Sequence, residues 1–467
     1  MRNGLGAAAI AAVLACIAGG GVSGQTATLT ADQRLAREIF AELIGIDTSP
    51  RAGTTRAAEA MAARLRSAGL TDVQVLGPNA LRRNLVARLK GTGAREPLLL
   101  LAHLDVVEAR REDWSMDPFR FLERDGYYYG RGTLDDKAMA AIWVEALMRL
   151  KREGIVPDRD IILALTADEE GGDDNGVQWL LEHQPALISA AYALNEGGGG
   201  QLKQGRRLLN AVQASEKVYQ SFTLEVRNAG GHSSRPSPDN AIYRLAEALK
   251  KVEAHRFPAS LNEVTRAYFG RMAEIERGQL ASDMRSAASQ SPDAAALDRL
   301  SADPYYNALL RTTCIPTLVE GGHAENALPQ LARTTVNCRI LPGEDPAAVL
   351  AMLRQVVADE QVGISAVAPA KPSPPSPLVP EVMEPIETIT AELWPGVPVV
   401  PVMSTGATDG LYLRQSGIPV YGVSGIFSDI DDNRAHGRDE RISTLAFFEG
   451  QTFLNLLVRA LTGVVAE

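Results

Sequence analysis

The stretch at residues 98–137 places the tightest constraint on the fold, because it joins a strand pattern to metal-binding chemistry. It opens with LLLLA, an uninterrupted apolar run typical of a buried strand, and His103 and Asp105 follow within three residues. A neutral imidazole with a carboxylate two residues later can be held in one tautomer, as a metal ligand requires. The stretch closes with GRGTLDDK, in which the carboxylate of Asp135 has two oxygens and can bridge two cations.

Helical and strand patterns alternate along much of the chain, which predicts an α/β fold. Strand segments such as LLLLAH and IILALT alternate with amphipathic helices at residues 54–68, 137–152 and 177–183. A first helix begins after Thr30, where TADQ has the spacing of a capping box. Strands separated by helices of this length indicate a mixed sheet flanked by helices.

The character of the sequence changes near Lys217, where SFTLEVRNAGGHSS introduces a strand with alternating polarity. Helices, two further β-like runs and the Pro/Ser-rich connector KPSPPSPLVP follow, and the earlier pattern then returns. The simplest organisation is a catalytic domain interrupted by an inserted α+β domain. We place the catalytic domain at residues 25–216 and 373–467, and the insertion at residues 217–372.

The first 24 residues have the pattern of a secretory signal peptide. Arg2 precedes the apolar run AAAIAAVLACIAGGG, and small residues precede a possible cleavage site at Gln25. A secreted or periplasmic protein is therefore expected. Cys16 is a weak lipoprotein-like site, so lipid anchoring is the minor alternative. No later segment reaches about 18 uninterrupted apolar residues, so we expect no stable membrane span after signal removal.

The charge balance argues against nucleic acid as a partner. The chain has 47 Lys and Arg residues against 57 Asp and Glu residues, a formal net charge of -10, and no block of like charge. Nucleic acids and anionic membrane surfaces both require clustered basic residues. With 467 residues, of which 45% are hydrophobic, the chain can bury a sizeable core in two or three domains.

Two cysteines remain after removal of the signal peptide. Cys314 and Cys338 lie in β-like runs that can pair antiparallel about a turn near residue 326, which would place the two residues opposite each other. In an oxidising compartment this arrangement predicts a cross-strand disulfide. Two reduced and buried thiols are the alternative.

Further candidate ligands lie in three downstream motifs. Glu169 and Glu170 follow the strand IILALT in ADEEGG, Glu196 follows AYALN, and His436 lies in AHGRDE. The first two motifs come after strands, at the edge where open α/β sheets bind ligands. Each motif taken singly favours an ordinary solvated loop. In combination with the first stretch they supply imidazoles and carboxylates, a donor set suited to Zn²⁺.

The ordered motif set resembles a known enzyme family. AHLDVV, DPF, YGRGTLDDK, ADEEGG, NEGG, AGGHSS and AHGRDE are similar to the motifs of the two-metal peptidase family of carboxypeptidase G, aminoacylase, acetylornithine deacetylase and succinyl-diaminopimelate desuccinylase. The likeness covers the chain beyond the signal and is nearest to the longer carboxypeptidase members. It implies two divalent metal ions, for which we expect Zn²⁺, and an insertion that serves as a lid or dimerisation domain.

The resemblance also implies a role for each metal ligand. His103 would bind one zinc ion and His436 the other, with Asp135 bridging both. Glu196 would complete the site that contains His103, and Glu170 the site that contains His436.

Three other residues gain catalytic roles from the resemblance. Asp105 would hold His103 in place, and Glu169 would be the general base that takes a proton from the water or hydroxide between the metals and delivers it to the leaving amine. His232, in the inserted domain, would stabilise the oxyanion, commonly across a dimer interface. The family also predicts a cis peptide between Asp135 and Asp136.

The expected substrate is a small peptide or an N-acyl amino acid, cleaved at the amide bond next to its free carboxylate. Asn326 and Arg339 match positions that bind this carboxylate in the family, and Gly406 lies where a backbone donor would help. A turn residue for Asn326 and a structural ion pair for Arg339 are equally open. Two other functions are alternatives: a catalytically silent, metal-stabilised binding protein, and a two-metal aminopeptidase.

Overall fold

The computed structural model describes residues 28–464, so the predicted signal peptide lies outside the described residues. The first half of the described chain contains α1 (Ala31–Ile44), α2 (Thr55–Ser67), β1 (Asp72–Leu76), β2 (Asn84–Leu89), β3 (Leu98–His103), β4 (Leu122–Arg124), β5 (Tyr127–Tyr129), α3 (Lys137–Arg152), β6 (Ile161–Thr166), α4 (Gly176–His183), α5 (Pro185–Ile188), β7 (Tyr192–Asn195), β8 (Gly200–Lys203) and β9 (Arg206–Glu216). Among the described residues, no helix combines the length and the apolar character needed to cross a membrane.

The middle of the chain contains β10 (Val218–Arg227), β11 (Gly231–His232), α6 (Ala241–Ala254), α7 (Glu263–Ile275), α8 (Gly278–Ala288), α9 (Ala294–Leu300), α10 (Pro304–Leu310), β12 (Thr313–Gly321), β13 (Ala327–Leu328), β14 (Leu331–Ile340), α11 (Pro346–Val357) and β15 (Val362–Ala366). The last part contains α12 (Pro380–Leu393), β16 (Val399–Ser404), α13 (Gly410–Gln415), β17 (Val420–Gly422), β18 (Phe427–Asp429), β19 (Arg441–Ser443) and α14 (Thr444–Leu461).

A large mixed sheet forms the body of the molecule and confirms the predicted fold class. Its ten strands run in the order β1-β2-β6-β3-β7-β17-β9-β8-β18, with β16 paired to β9. Strand β3 is parallel to both β6 and β7, and all six of its residues are buried. The apolar run therefore lies inside the sheet, as its lack of polar alternation predicts. Its last residue, His103, lies opposite Thr166 at the ends of β3 and β6.

Helices α1, α3 and α14 cover one face of this sheet. Helix α1 begins with the predicted capping box, in which Thr30 and Gln33 exchange hydrogen bonds between side chain and backbone. The side chains of Phe40 and Leu43 lie in the main hydrophobic core with the buried face of α3. At the start of α3, the buried Lys137 donates to the carbonyl oxygens of Leu43 and Ile46, at 3.0 and 2.8 Å. These bonds fix α1 relative to the loop that carries Asp135.

A smaller antiparallel sheet, in the order β12-β14-β10-β15, lies within the predicted insertion. Cys314 and Cys338 are direct partners in the register of β12 and β14, and their sulfur atoms form a disulfide. The predicted cross-strand bridge is confirmed. Helices α6 and α11 pack on this sheet and form a core of its own.

The helical half of the insertion packs on the large sheet. Helix α7 packs against β16 of the large sheet. Phe269 and Met284 share a buried cluster with Val400 and Met403, whereas the core of the smaller sheet contains no residue of α7–α10. Helices α7–α10 therefore belong to the same core as β9 and β16. Helical periodicity shows that a segment has an apolar face, but it does not show which sheet covers that face.

Candidate metal centre and active site

Five predicted ligands come together at one edge of the large sheet. His103 ends β3, Glu196 follows the last residue of β7, and Glu170 lies in the loop after β6. Asp135 lies in the turn before α3, and His436 lies in the loop before β19. Because β3, β6 and β7 are parallel, their carboxyl ends meet at this edge. We call these five residues the metal-ligand cluster.

Asp135 has the geometry of a bridging ligand. Its Oδ1 lies 2.8 Å from Nε2 of His103, and its Oδ2 lies 3.1 Å from Nε2 of His436. The same nitrogen of His436 lies 2.8 Å from Oε1 of Glu170. Each oxygen of one carboxylate therefore faces a different imidazole, as two neighbouring cations would require. The predicted cis peptide between Asp135 and Asp136 is present.

Two groups of ligand atoms are compact enough to hold an ion. His103, Asp135 and Glu170 form one group, and His103, Glu169 and Glu196 form the other; within each group the ligand atoms lie within 4.8 Å of one another. The donors are imidazole nitrogens and carboxylate oxygens, which suit Zn²⁺ and similar ions. The assignment of Glu170 to the ion shared with His436, and of Glu196 to the ion shared with His103, stays a prediction.

The electrostatics of the cluster call for positive charge. Burial, reinforced by the neighbouring charge of Asp135, raises the pKa of Glu170 to about 7. Burial also raises the pKa values of Glu169 and Glu196 well above their usual range. The charge of Glu196 adds to the shift of Glu169, and the charge of Asp135 adds to the shift of Glu196. Several carboxylates thus share a buried space in which their negative charges repel one another. Divalent ions bound there would relieve this repulsion, so the residues fit the implied metals.

The imidazoles respond to the same crowding of carboxylates. The hydrogen bond to Asp135 raises the pKa of His436 to about 9, although partial burial opposes the shift. Burial would lower the pKa of His103, but the neighbouring carboxylates of Asp135, Glu196 and Asp105 together outweigh it and raise this pKa well above the ordinary value. Burial in turn would raise the pKa of Asp135, but the two imidazoles hold it well below the usual range. A bound metal competes with these protons for the same lone pairs.

Asp105 acts through different atoms from those expected. The Nδ1 atom of His103 lies 3.0 Å from the backbone carbonyl oxygen of Asp105, and the carboxylate is farther away, at 3.8 Å. The carboxylate instead accepts hydrogen bonds from the backbone N–H groups of Glu169 and Glu170, at 3.1 and 2.9 Å. Asp105 therefore orients His103 with its backbone and the loop of the DEE motif with its side chain.

A buried ion pair that the sequence did not single out supports the cluster. Nη1 of Arg131 donates to Glu440 at 2.6 Å, and the two side chains are 3% and 1% exposed. Nη2 of Arg131 also donates to the carbonyl oxygen of His436 at 3.2 Å, and Glu440 accepts from the backbone of Leu134 at 2.7 Å. The pair thus joins the turn before Asp135 to the loop of His436. Arg131 lies inside the motif GRGTLDDK and Glu440 inside AHGRDE. Their place in these two motifs was the only feature of the sequence that pointed to a role at the site.

Arg339 and Gly406 lie beside the cluster. They line a cavity of about 770 Å³ together with Glu169 and Glu170. Arg339 stacks over the ring of Tyr219 at 4.7 Å and donates to the carbonyl oxygen of Thr405 at 3.4 Å. Among the described residues no carboxylate lies within ion-pair distance of Arg339, so the structural ion pair is not observed. The N–H of Gly406 donates to Ser404 Oγ at 3.0 Å.

His232 and Asn326 lie close to each other but outside the cavities that border the cluster. Residues 231–232 and 327–328 pair as a two-stranded ribbon, which we call the His232 ribbon. The N–H of Ser233 donates to the carbonyl oxygen of Asn326 at 3.0 Å. The exposed His232 accepts from the N–H of Ser234 at 3.1 Å. Neither His232 nor Asn326 lines any of the three cavities that contact ligands of the cluster.

Comparisons with known proteins identify a family. A family profile described as Peptidase family M20/M25/M40 matches residues 99–460. The N-fatty-acyl-amino acid synthase/hydrolase PM20D1 of Xenopus tropicalis is 32% identical over 354 residues, covering 74% of this chain and 69% of that protein. Aminoacylase-1A of Rattus norvegicus is 27% identical, covering 79% and 81%.

A solved structure shares the fold. The M20 family metallo-carboxypeptidase Sso-CP2 of Sulfolobus solfataricus superposes with a TM-score of 0.70, at 17% sequence identity, over 91% of this chain and 99% of that chain.

Proposed function

This chain belongs to peptidase family M20/M25/M40, and we propose that it is a two-zinc hydrolase that cleaves the amide bond next to a free carboxylate in N-acyl amino acids or small peptides. The bridging geometry of Asp135 carries the proposal, because its two oxygens face two separate imidazoles at 2.8 and 3.1 Å. Divalent cations held by the cluster would acidify a water molecule and polarise the amide carbonyl.

Glu169 is the residue best placed to move protons. It lies in the loop between Asp168 and the ligand Glu170, and the carboxylate of Asp105 holds its backbone N–H. Burial raises the pKa of Glu169 well above the usual range, so it accepts a proton more readily than an exposed carboxylate does. We assign to it the removal of a proton from the attacking water and the delivery of that proton to the leaving amine.

Replacement of Glu169 tests the proposal. Glu169→Ala should keep its bound metal, measured by elemental analysis, and lose about 10²–10⁴-fold in kcat because the general base is gone. Glu169→Asp should also be strongly impaired, since the carboxylate is withdrawn by one methylene from its working position. Near-normal turnover by the metal-loaded Glu169→Ala protein would rule out this base.

Arg339 supports a substrate with a free carboxylate. Its guanidinium lines the cavity of Glu169 and Glu170 and is free of a carboxylate partner among the described residues. A planar guanidinium matches a carboxylate in two parallel hydrogen bonds. Arg339→Lys should therefore raise KM for N-acyl amino acids more than it lowers kcat. A panel containing N-acyl amino acids, their C-terminal amides and free-amine dipeptides separates this activity from that of an aminopeptidase.

We also propose that the active enzyme is a homodimer formed through the inserted domain. Strand β12 is an edge strand, and its side chains Ile315, Leu318 and Val319 are 63%, 64% and 71% exposed. Helix α6, which contacts β12, carries the exposed Tyr243. An apolar edge of this kind favours pairing with a second chain. A second copy could supply His232 and Asn326 to the cluster. The mass in solution should be that of a dimer, and Leu318→Arg should shift it toward the monomer.

Export of the chain is a further proposal. The apolar run at residues 1–24 supports it, and so does the disulfide between Cys314 and Cys338, since structural disulfides persist in oxidising compartments. Protein recovered from a periplasmic or extracellular fraction should begin near Gln25. A mature protein that retained residues 1–24 in the cytosol would contradict this proposal.

A further inference from the structure

The loop that carries the proposed base needs support from the rest of the fold. Residues 167–174, which we call the DEE loop, lie between β6 and α4. Asp168, directly before Glu169, has a φ of 56°, in the left-handed region that residues with a side chain rarely adopt. Gly171 and Gly172, which follow Glu170, also have positive φ angles, of 130° and 154°. Because glycines leave the backbone many alternatives, outside contacts must keep Glu169 in one position.

The carboxylate of Asp409 binds both ends of the DEE loop. Its Oδ2 accepts a hydrogen bond from the hydroxyl of Thr166 at 2.8 Å, and its Oδ1 accepts one from Nδ2 of Asn175 at 2.6 Å. Thr166 is the last residue of β6 and Asn175 directly precedes α4, so the whole loop lies between these two contacts. Asp409 is 2% exposed. One buried side chain therefore fixes the two ends of the loop relative to each other.

Asn175 connects Asp409 to the backbone beside the base. Its Nδ2 also donates to the carbonyl oxygen of Asp168, the residue before Glu169, at 3.3 Å. Its Oδ1 accepts from the N–H of Gln178 at 3.0 Å, which makes Asn175 the N-cap of α4. The peptide group between Asp168 and Glu169 is thus joined to Asp409 through a single side chain.

The segment that carries Asp409 is itself held firmly. The N–H of Thr408 donates to Oε2 of Glu216 at 2.8 Å. Glu216 is the last residue of β9 and forms an ion pair with Arg414 of α13, and these two side chains are 2% and 1% exposed. Asp409 directly precedes α13. The large sheet and α13 therefore hold Asp409 in place, so it can serve as a fixed point for the DEE loop.

The two donors explain why this position has a carboxylate. A hydroxyl and an amide N–H both point at Asp409, and a carboxylate offers each of them an acceptor oxygen. The amide of an Asn would place an NH₂ group against one of the donors. The carboxylate has a cost, because burial raises the pKa of Asp409 to about 6. Asp409 belongs to neither compact group of ligand atoms, so metal binding does not explain why the cost is tolerated.

We infer that Asp409 is a positioning residue for the general base: through Thr166 and Asn175 it holds the DEE loop so that Glu169 stays at one place beside the metal-ligand cluster. The inference rests on the proposed function, in which Glu169 moves the proton. Proton transfer requires the base within hydrogen-bond reach of the water, and a misplacement of about 1 Å can cost about 10²-fold in rate.

Asp409→Asn tests the inference, because it removes one acceptor and nearly preserves the size of the side chain. In protein with the wild-type metal content, kcat for an N-acetyl amino acid should fall about 10- to 100-fold and KM should change less than about twofold. The split between kcat and KM is expected because the loop carries the base and not Arg339. Wild-type kcat in the folded, metal-loaded variant would overturn the inference.

Asp283→Asn is the matched control. Asp283 of α8 is also buried, and both of its oxygens accept hydrogen bonds, from Gln279 and Arg299. It lines none of the three cavities that contact the cluster. The control should therefore keep the wild-type kcat. If Asp409→Asn does not fold, Thr166→Val removes only one of the two donors and should give the same split between kcat and KM.

An exchange of the two partners separates positioning from a general loss of stability. Asn175→Asp alone places two carboxylates opposite each other and should also lower kcat. In the double variant Asn175→Asp with Asp409→Asn, the amide at position 409 can donate to the carboxylate at position 175, which can still cap α4. Its kcat should exceed that of either single variant. A double variant no faster than Asp409→Asn would show that the two side chains act independently, and would overturn the inference.

Hydrogen exchange separates this inference from the proposed function. If the wild-type protein hydrolysed no N-acyl amino acid and no peptide, the proposed function would fail, but exchange at the amides of residues 167–174 would still report on the loop. These amides should exchange faster in Asp409→Asn than in the wild type, and at the wild-type rate in Asp283→Asn. Equal rates in Asp409→Asn and the wild type would mean that Asp409 does not hold the loop.

Discussion

The metal-ligand cluster and the His232 ribbon both present polar side chains predicted for one active site, yet the single chain assembles only the first. The cluster is fixed by parallel strands whose ends meet, by a buried ion pair and by the carboxylate of Asp105. His232 is exposed, and its ribbon consists of two short strands outside the cavities of the cluster. The difference teaches that one chain by itself assembles the proposed metal site. The role proposed for His232 would require either a second chain or a movement of the inserted domain.

The largest expected effect comes from comparing one substitution in each region. A substitution in the cluster should lower both metal content and turnover, whereas one in the His232 ribbon should lower turnover alone. His103→Ala removes a ligand of both compact groups, so bound metal and turnover should both fall by orders of magnitude. His232→Ala should keep the full metal content and lose about 10²–10³-fold in kcat, the usual cost of removing an oxyanion donor. Loss of metal from the His232→Ala protein would contradict the division between the two regions.

Mixing two inactive variants sharpens the same comparison. If His232 acts on the partner's cluster, a heterodimer of His232→Ala and Glu169→Ala chains contains one site with both residues intact. Activity should then reappear when the two proteins are mixed under conditions that exchange subunits. A mixture that stays inactive, although exchange is demonstrated by labelled chains, would indicate that His232 works within its own chain.

The buried pair of Arg131 and Glu440 should affect the cluster without removing a ligand. Glu440→Gln breaks the ion pair but keeps much of its shape, so His436 and the turn before Asp135 lose their common support. Outer partners of metal ligands typically contribute 10- to 100-fold to metal affinity. We expect a loss of about that size, and turnover that recovers with added zinc. Arg37→Met, which breaks a surface pair with Glu123, is the control and should change neither quantity.

Sequence patterns predict the cluster well because each ligand lies next to a strand end or within a compact motif. Parallel pairing of the strands is then enough to bring those positions together. His103 and Glu196 are an example, because they lie at the carboxyl ends of the parallel strands β3 and β7. The partner of His103 Nδ1 could not be predicted, because the sequence does not distinguish the carboxylate of Asp105 from its backbone carbonyl. Two further features could not be predicted because they join distant parts of the chain. Arg131 and Glu440 are 309 residues apart, and α7–α10 pack on β16 of a sheet whose strands are far apart in the sequence.

Removal of the disulfide should destabilise the smaller sheet and spare the cluster. The bridge between Cys314 and Cys338 closes a loop with a sequence separation of 24 residues, for which restriction of the unfolded chain contributes about 3 kcal/mol. The double variant Cys314→Ser with Cys338→Ser should therefore unfold at a lower denaturant concentration. Its metal content should equal that of the wild type, because the disulfide lies in the core of the smaller sheet. Metal loss would show that the two cores are coupled more tightly than their separate packing indicates.

The smallest effect concerns Lys217, at the junction between β9 and β10. Its ammonium group donates to the carbonyl oxygen of Arg311 at 2.8 Å and is buried, and burial lowers the pKa of Lys217 from 10.5 to about 7. Below about pH 7 the amine is protonated in both folded and unfolded chains, so the cost of burying its charge is fully present. Between about pH 7 and 10.5 only the unfolded chain retains the proton, and the contribution of this group to stability rises with pH.

Lys217→Met removes this titration and should flatten the rise. Each pKa unit corresponds to about 1.4 kcal/mol, so urea unfolding compared at about pH 7 and pH 9 should resolve the change in slope. The exposed Lys250→Met is the matched control and should preserve the wild-type slope. An identical pH dependence in the wild-type and Lys217→Met proteins would mean that the junction admits water to the amine. In that case the backbone between the large and smaller sheets is more open than its buried contacts indicate, and the inserted domain has more freedom to carry the His232 ribbon toward the cluster of its own chain.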